Sequence, residues 1–483
     1  MITKTQSTKI FGAKHWLAGI SVAMATLGSL SCTSLPAQRA QQTIGFIQGT
    51  ALPYRVLNEQ LINAAYPNQT LKIRNGGFGS DAAAHPNKVN QFYALTDRGP
   101  NAKFKGTSGK GKQFMTPEYT PRIALYELKT NGEIHQVKEI LLKNRSGKPI
   151  TGLPNPQAIG GTGEIAYDGQ GKLLLANLNA AFDKTRNPTQ TDEYGLDAEG
   201  LAVMKDGSFW VSDEYGPHIV HCDANGNEVG RINPFASDGR NNVIINSKRV
   251  LLPAEFANRR ANRGMEGLAI TPDQSTLVGI MQSSMDNPDK SGRKTDLTRI
   301  VTVNLRTGEV SQYLYQQQKA ENSNSGIVAL NNHEFYVIER DGKFALQDSK
   351  AQKHIYKINI ANATNIEQIK ATNSLKQETA LGLTVSGQTL EQVAAKKESG
   401  WQTLSQLGVK PVSKVIVVDA VKALNYPHDK LEGLWLRADG TLGLLNDDDF
   451  AVWSHDNKLE QKYLDKDKTI EDANRLYIVR PTS

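Results

Sequence analysis

The sequence predicts an all-β chain folded as a β-propeller of about six blades. Three observations carry that prediction. The first is a recurring unit: Glu199-Gly200-Leu201, Glu266-Gly267-Leu268 and Glu432-Gly433-Leu434 each have an Asp seven residues after the Glu, at Asp206, Asp273 and Asp439. The second is the pattern around that unit. An apolar run at 201–204, the pair Asp206-Gly207 and a second apolar run at 209–212 read as a β-hairpin. The third is that helix-like spacing is concentrated in one stretch, an expected helical insertion between blades near 376–412. A small sheet cannot cover both its faces, so repeated four-stranded units ringed about an axis bury them against one another.

The chain opens with a targeting segment. Lys4, Lys9 and Lys14 form a basic region without acids, 16–30 is an apolar run too short for a comfortable membrane span, and Ser29 and Ser31 precede Cys32. Residues 1–31 are expected to be a signal peptide, 32–44 a linker and 45–483 one domain. Cys32 is a candidate lipidation site and membrane tether. Plain cleavage after Ser31 or near Ala37 is the alternative, because Ser29 stands where a lipoprotein signal favours Leu. The expectation is an exported protein: periplasmic, outer-membrane-anchored or extracellular.

Composition narrows the class further. The 483 residues are 39% hydrophobic and 22% charged, an ordinary globular balance. Removing the three leader lysines from the formal +7 leaves +4, well mixed. The basic stretch 103–112 is Gly-rich and reads as a solvated loop, so nucleic acid is not an expected partner. After leader removal Cys222 is the only cysteine besides Cys32, which excludes a disulfide scaffold within the domain. A monomer is expected.

Within the domain, 76–81 is a turn, and the strand-like run 92–96 ends in Asp97-Arg98-Gly99-Pro100. Runs 122–128 and 134–142 flank the hairpin turn Asn131-Gly132. Glu164 heads a weaker copy of the repeat, or an inserted hairpin. The copy at Glu199 continues through 218–223 and 228–232, and that at Glu266 through 276–281, 299–305 and 310–315. A degenerate copy starts at Ser325 and its second strand ends in Glu339-Arg340-Asp341. The last runs from 431 to 450. The final strand, 476–479, is expected to pair with the first blade and close the ring.

In a propeller the innermost strands line the central channel, so Glu199, Glu266 and Glu432 should gather at one mouth. Asp97, Asp213, Glu214, Glu339, Asp447 and Asp449 end second strands near the same mouth. Oxygen donors without His or Cys partners suit a hard divalent cation, Ca²⁺ above all. These nine residues are therefore the candidate metal ligands; the alternative is that such carboxylates cap blade turns, the preferred reading for Asp206, Asp273 and Asp439. Arg98 and Arg340 each follow an acid and are candidates to bind an anionic substrate, or else to pair with neighbouring acids. Glu199, Glu266 and His218 are the candidate catalytic groups. No Gly-x-Ser-x-Gly elbow, His-Glu-x-x-His or phosphate-binding loop is present.

Asp97-Arg98-Gly99-Pro100, Asp197-Ala198-Glu199-Gly200-Leu201, Asp213-Glu214-Tyr215-Gly216-Pro217, Glu339-Arg340-Asp341 and Lys430-Leu431-Glu432-Gly433-Leu434 together resemble the bacterial phytase-like domain family, described as having esterase-like activity of phytase. The resemblance spans roughly 45–480. It implies a secreted β-propeller and a phosphoesterase or carboxylesterase role. Where the family tends to show Asp-Asn-Asp-Phe, this chain has Asp447-Asp448-Asp449-Phe450, an added charge that favours a cation. The Asp-rich Pro-Ala segment of alkaline propeller phytases is absent, so phytate is not implied. Two functions follow as expectations: metal-assisted hydrolysis of a small anionic or ester substrate at the channel mouth, or a binding propeller whose cation is structural.

Overall fold

The computed structural model describes residues 48–62 and 70–482. The leader, Cys32 and the expected linker lie outside the described residues. Five four-stranded antiparallel sheets are present among the described residues. In order from the axis outward, the first is Asp81–Ala84, Gln91–Leu95, Arg122–Leu128 and Ile134–Leu141. The second is Ala198–Val203, Phe209–Asp213, Ile219–Cys222 and Glu228–Ile232. The third is Met265–Ile270, Thr276–Met281, Leu297–Asn304 and Val310–Gln316. The fourth is Ser323–Ala329, Glu334–Arg340, Lys353–Asn359 and Ser413–Asp419. The fifth is Gly433–Leu436, Leu442–Leu445, Arg475–Val479 and Thr50–Ala51. The five innermost strands neighbour one another in a closed cycle, Gly433–Leu436 returning to Asp81–Ala84.

The glycines of the first two Glu-Gly-Leu units, and of the degenerate Ser325-Gly326-Ile327 copy, follow from that cycle. A Cβ on Gly200 would lie 2.6 Å from the Leu268 amide nitrogen, one on Gly267 2.7 Å from the Ser325 carbonyl oxygen, and one on Gly326 2.4 Å from the Glu432 carbonyl oxygen. Inner strands approach so closely near the axis that only glycine fits. Away from the axis the blades splay and apolar side chains fill the gaps. Leu95 and Leu125 pack with Leu201 and Val211 between the first and second sheets. Ile219 and Ile232 pack with Leu268 and Val301 between the second and third. The ring closes where Phe92 stacks on Trp435, ring centroids 4.6 Å apart, between the first sheet and the fifth.

Five sheets form the ring among the described residues, within the expected count of about six. Three expectations are corrected. Glu164 does not open a blade: Ile165–Tyr167 runs parallel to Gly109–Phe114, which pairs with Asn101–Gly106 in a three-stranded side sheet. Closure is also reversed. The C-terminal Arg475–Val479 is the third strand of the fifth sheet, and the N-terminal Thr50–Ala51 adds outside it, Thr50 opposite Leu476. The insertion lies inside the fourth blade, between its third and fourth strands. It contains strands Leu375–Glu378, Gly382–Val385 and Gln388–Thr389 before helices Leu390–Ala394 and Glu398–Gln406. Thr389 caps the first helix in a capping box with Gln392, and Leu390, Val393 and Leu404 cover Leu297 and Leu314 of the third sheet.

Two hairpins overhang one end of the channel. Ser454 of the hairpin Val452–His455/Lys458–Gln461 donates to the Lys103 carbonyl at 2.8 Å, and Asn457 bonds the Lys105 backbone, joining it to the Asn101–Gly106/Gly109–Phe114 hairpin. Among the described residues no helix is long and apolar enough to cross a membrane.

Candidate metal centre at the channel mouth

Glu199 and Glu266 each sit where the register of an inner strand slips, between Ala198 and Gly200 and between Met265 and Gly267. Such bulges re-aim a side chain. Carboxylate oxygens of Glu199, Glu266 and Glu432 lie within 4.8 Å of one another, and Glu199 forms a second such group with Asp97 and Asp197. All five residues are buried. The structure thus brings together the three carboxylates that open the repeated units.

Their partners are unequal. Glu432 takes the Arg340 guanidinium, whose Nε also donates to Ser325 at 3.0 Å and whose Nη2 lies 3.8 Å from Glu266. Gln282 donates to Glu266 at 2.7 Å and to Glu214 at 2.9 Å. Lys430 holds Asp447 at 2.5 Å and Asp449 at 2.7 Å. Asp97 accepts the Gly99 amide at 2.8 Å. Both Asp197 oxygens are buried without a hydrogen bond, and the Arg98 Nε is 3.4 Å away. Glu199, only 7% exposed, has neither a hydrogen bond nor an ion pair through its carboxylate among the described residues.

The electrostatics follow. Burial pushes Glu199 well above the usual carboxylate range, and the charges of Glu266, Asp197, Glu214 and Glu432 push it further. Burial, then Asp447 and Asp197, raise Asp97. Burial, then Glu266 and Asp197, raise Glu214. Glu432 is pushed up to about 8 by burial, against the pull of Lys430 and Arg340. These carboxyls resist ionising together. An oxygen-only donor set with orphaned, buried oxygens fits a hard divalent cation, which would relieve the repulsion.

Asp97, Glu199, Glu214, Glu266, Asp449, Arg98 and Arg340 all line one cavity of about 540 Å³ under the overhanging hairpins. Glu432 and Asp447 are buried behind it, each held by a cation that lines it. Three further sequence candidates are likewise not among its lining residues. Asp213 accepts the amides of Asp197 at 2.9 Å and Gly216 at 2.7 Å, so it shapes the turn beneath the site. Glu339 is satisfied by Lys414 at 2.6 Å, Asn322 at 2.7 Å and Tyr315 at 2.9 Å, between the third and fourth sheets. His218 is fully buried 3.8 Å from Asp213. Burial, then Arg231, Arg240 and Arg259, hold it well below the usual histidine range, as a neutral imidazole. Arg98 is engaged with Asp197, with Glu164 at 3.3 Å, with Tyr215 and with Asn262. Sequence reasoning passed over Asp197, two residues before Glu199 on the same strand edge. It also missed Gln282, whose amide links two acids from different strands.

A family model described as "Phytase-like: Esterase-like activity of phytase" matches residues 73–450. A protein of Arthroderma benhamiae named "Uncharacterized secreted protein" is 31% identical over 180 residues, 34% of each chain, so the match spans about a third of that relative's length. Among solved structures, a Lactobacillus plantarum protein is 10% identical over 84% of this chain and 92% of its own, with a TM-score of 0.31. The PQQ-bound aldose sugar dehydrogenase of Streptomyces coelicolor is 10% identical over 89% and 100%, with a TM-score of 0.26. At those scores neither bears on the chemistry of this chain.

Proposed function

The chain belongs to the phytase-like family, and on that premise we propose that it is an exported hydrolase that cleaves a phosphoester or other ester at the channel mouth with a divalent cation, Ca²⁺ being the best fit. One observation carries this reading. Glu199 is buried among four other carboxylates, belongs to both acid groups and has no partner of its own. Leaving a charge in that state costs several kcal/mol by the order of magnitude for unpaired buried ions, so the carboxyl stays protonated unless a cation takes the proton's place.

Glu199 and Glu266, with Asp97 and Asp197 beside them, would hold the ion. When bound it supplies Lewis acidity toward an ester oxygen and acidifies water near neutral pH. Glu214, hydrogen-bonded by Gln282 and raised by burial, lines the same cavity and can hold or release a proton there. The overhanging hairpins, with Trp453, line the same cavity opposite the acids.

The test is a panel of phosphate and acyl esters, assayed with and without EDTA. Hydrolysis that disappears on chelation and in Glu199→Gln, with the fold retained, supports the reading. The absence of turnover on every ester, with chelation lowering only the melting temperature, replaces it with a binding propeller built round a structural cation. That second reading draws on Arg340, which already neutralises Glu432 from within the chain. Export is supported by the leader pattern and by the secreted relative. Periplasmic, outer-membrane-anchored and extracellular placement are separated by fractionation of wild type and Cys32→Ser.

A further inference from the structure

We propose that Arg260 and Arg263 form an anion-docking edge on this cavity, which takes the phosphate group of a small phosphorylated substrate. The substrate class rests on the hydrolase reading above; the anion site does not.

Sorting the cations that line the cavity leads to these two residues. Arg98 is spent on Asp197 and Glu164, Arg340 on Glu432, and Lys430 on Asp447 and Asp449. Lys112 donates to Asn101 at 2.8 Å, and Lys103 is an exposed single charge on the overhanging hairpin, without the fork of a guanidinium. Arg260 lines the same cavity, half-buried, its side chain without a hydrogen bond or ion pair among the described residues. Arg263 lines it too and makes only one long contact, 3.4 Å to the Ser323 hydroxyl.

The segment that carries them is built to hold them still. Arg259 is used as a structural clamp, its guanidinium donating to the Tyr215 and Gly160 carbonyls, each at 2.6 Å. The Arg263 amide closes a turn on the Arg260 carbonyl at 3.0 Å. Asn262 takes the left-handed backbone, φ 56°, and its side-chain oxygen accepts from Arg98 at 2.9 Å. Gly264 is pinned between the Glu214 carbonyl and the Gln282 amide, both at 3.0 Å. A Cβ there would lie 2.5 Å from the Glu214 carbonyl oxygen. Two guanidiniums are thus presented on a fixed turn that is itself anchored to the floor of the acid site. Burial, then the charges of Arg263 and Arg293, hold Arg260 below the usual guanidinium range, against the opposing charges of Asp286 and Glu214.

Guanidinium forks match the oxygens of a phosphate two at a time. Acids that suit a cation and free arginines that suit a dianion therefore face one cavity, of a size that admits a small molecule. A phosphate ester can meet both through a single group.

Inorganic phosphate is the probe, titrated by calorimetry into the full exported chain, as purified and after EDTA. Wild type should bind it. Arg260→Gln/Arg263→Gln should lose about tenfold or more in affinity, the scale of losing charge-assisted hydrogen bonds. Arg263→Lys should fall between them, because it keeps the charge and loses the fork. Arg306→Gln, exposed on an outer turn, should bind as wild type, and circular dichroism should show every variant folded. Wild type that does not bind phosphate, or a double variant that binds it as wild type does, overturns the site. If phosphate binding depends on the two arginines while no ester is turned over, the anion site stands and the hydrolase reading falls. If phosphate esters are turned over equally well by the double variant, the hydrolase reading stands and the site falls.

Discussion

The repeated hairpins carry acids at both ends and treat them in opposite ways. At the outer turns Asp206 accepts the amide and hydroxyl of Ser208 at 2.9 and 2.7 Å, and Asp439 accepts those of Thr441 at 2.9 and 2.5 Å. Asp273, bonded by Thr271 and Ser275, is pulled down to about 2. At the other end of the same strands Glu199, Glu266 and Glu432 are buried and pushed up. Both ends repeat and both are acidic, so repetition alone does not separate structure from function. The supply of donors does. A turn surrounds one carboxylate with several N–H and O–H groups, whereas the mouth crowds carboxylates around few donors. Perturbed groups held without partners in a cleft mark the end of the fold that awaits a ligand.

Glu199→Gln tests that contrast most severely. It should cost about 100-fold or more in cation-dependent ester hydrolysis, the scale of losing a group that positions an electrophile. The same change should raise the melting temperature in EDTA, since it removes a repelled charge. A variant that stays active, or is destabilised without cation, breaks the comparison.

Arg340→Met probes the guanidinium bonded to Glu432. It removes the partner of a buried Glu432 and should cost about 3 kcal/mol or more in denaturant unfolding with EDTA present. Saturating Ca²⁺ should shrink that loss. An equal loss with and without Ca²⁺ would mean that no ion reaches Glu432.

The two ends should also separate by pH. Glu199, Glu214, Asp97 and Glu432 have raised folded pKa values, so their protonated forms favour the fold. That contribution is complete below the unfolded value, about 4, and is lost as pH rises through the folded values, about 8 for Glu432. Arg98, Arg340 and Lys430 face these acids and soften the loss. Without cation the melting temperature should fall between about pH 4.5 and 8, and the gain on adding Ca²⁺ should widen over the same range. The turn acids work the other way. The contribution of Asp273 is present above the unfolded pKa and is lost as pH falls toward about 2. A Ca²⁺ gain that does not change with pH contradicts a site made of raised carboxyls.

What could be read from the sequence follows the same physics. The Glu-Gly-Leu units were legible because close approach of inner strands forces the glycine, and the turn aspartates because a tight turn needs local acceptors. Glu164 misled because a strand's residues do not state its partner, and Ile165–Tyr167 turned out to pair in parallel with a side hairpin. Thr50–Ala51 is two residues long, too short to carry a period, so the direction of ring closure was invisible. Asp213 and Glu339 were grouped with the mouth by position alone, and local donors captured both. Asp197 stood in the quoted motif, but its role depends on Asp97 from another blade.

The smallest expected effect lies at the satisfied end. Asp206→Ala removes a carboxylate that accepts from the Ser208 amide and hydroxyl in an exposed turn. Water replaces most of what is lost, so the cost should be about 0.5 kcal/mol, at the low end for a hydrogen bond after solvent screening. Asp206 stands at the far end of a strand from Glu199, so ester hydrolysis, Ca²⁺ affinity and phosphate binding should all match wild type. Urea unfolding reads the first quantity, and assays of Asp206→Ala beside Glu199→Gln read the rest. A turn variant that impairs hydrolysis while remaining folded would show that the two ends are coupled along the strand, and the division between a stabilising end and a ligand-binding end would not hold.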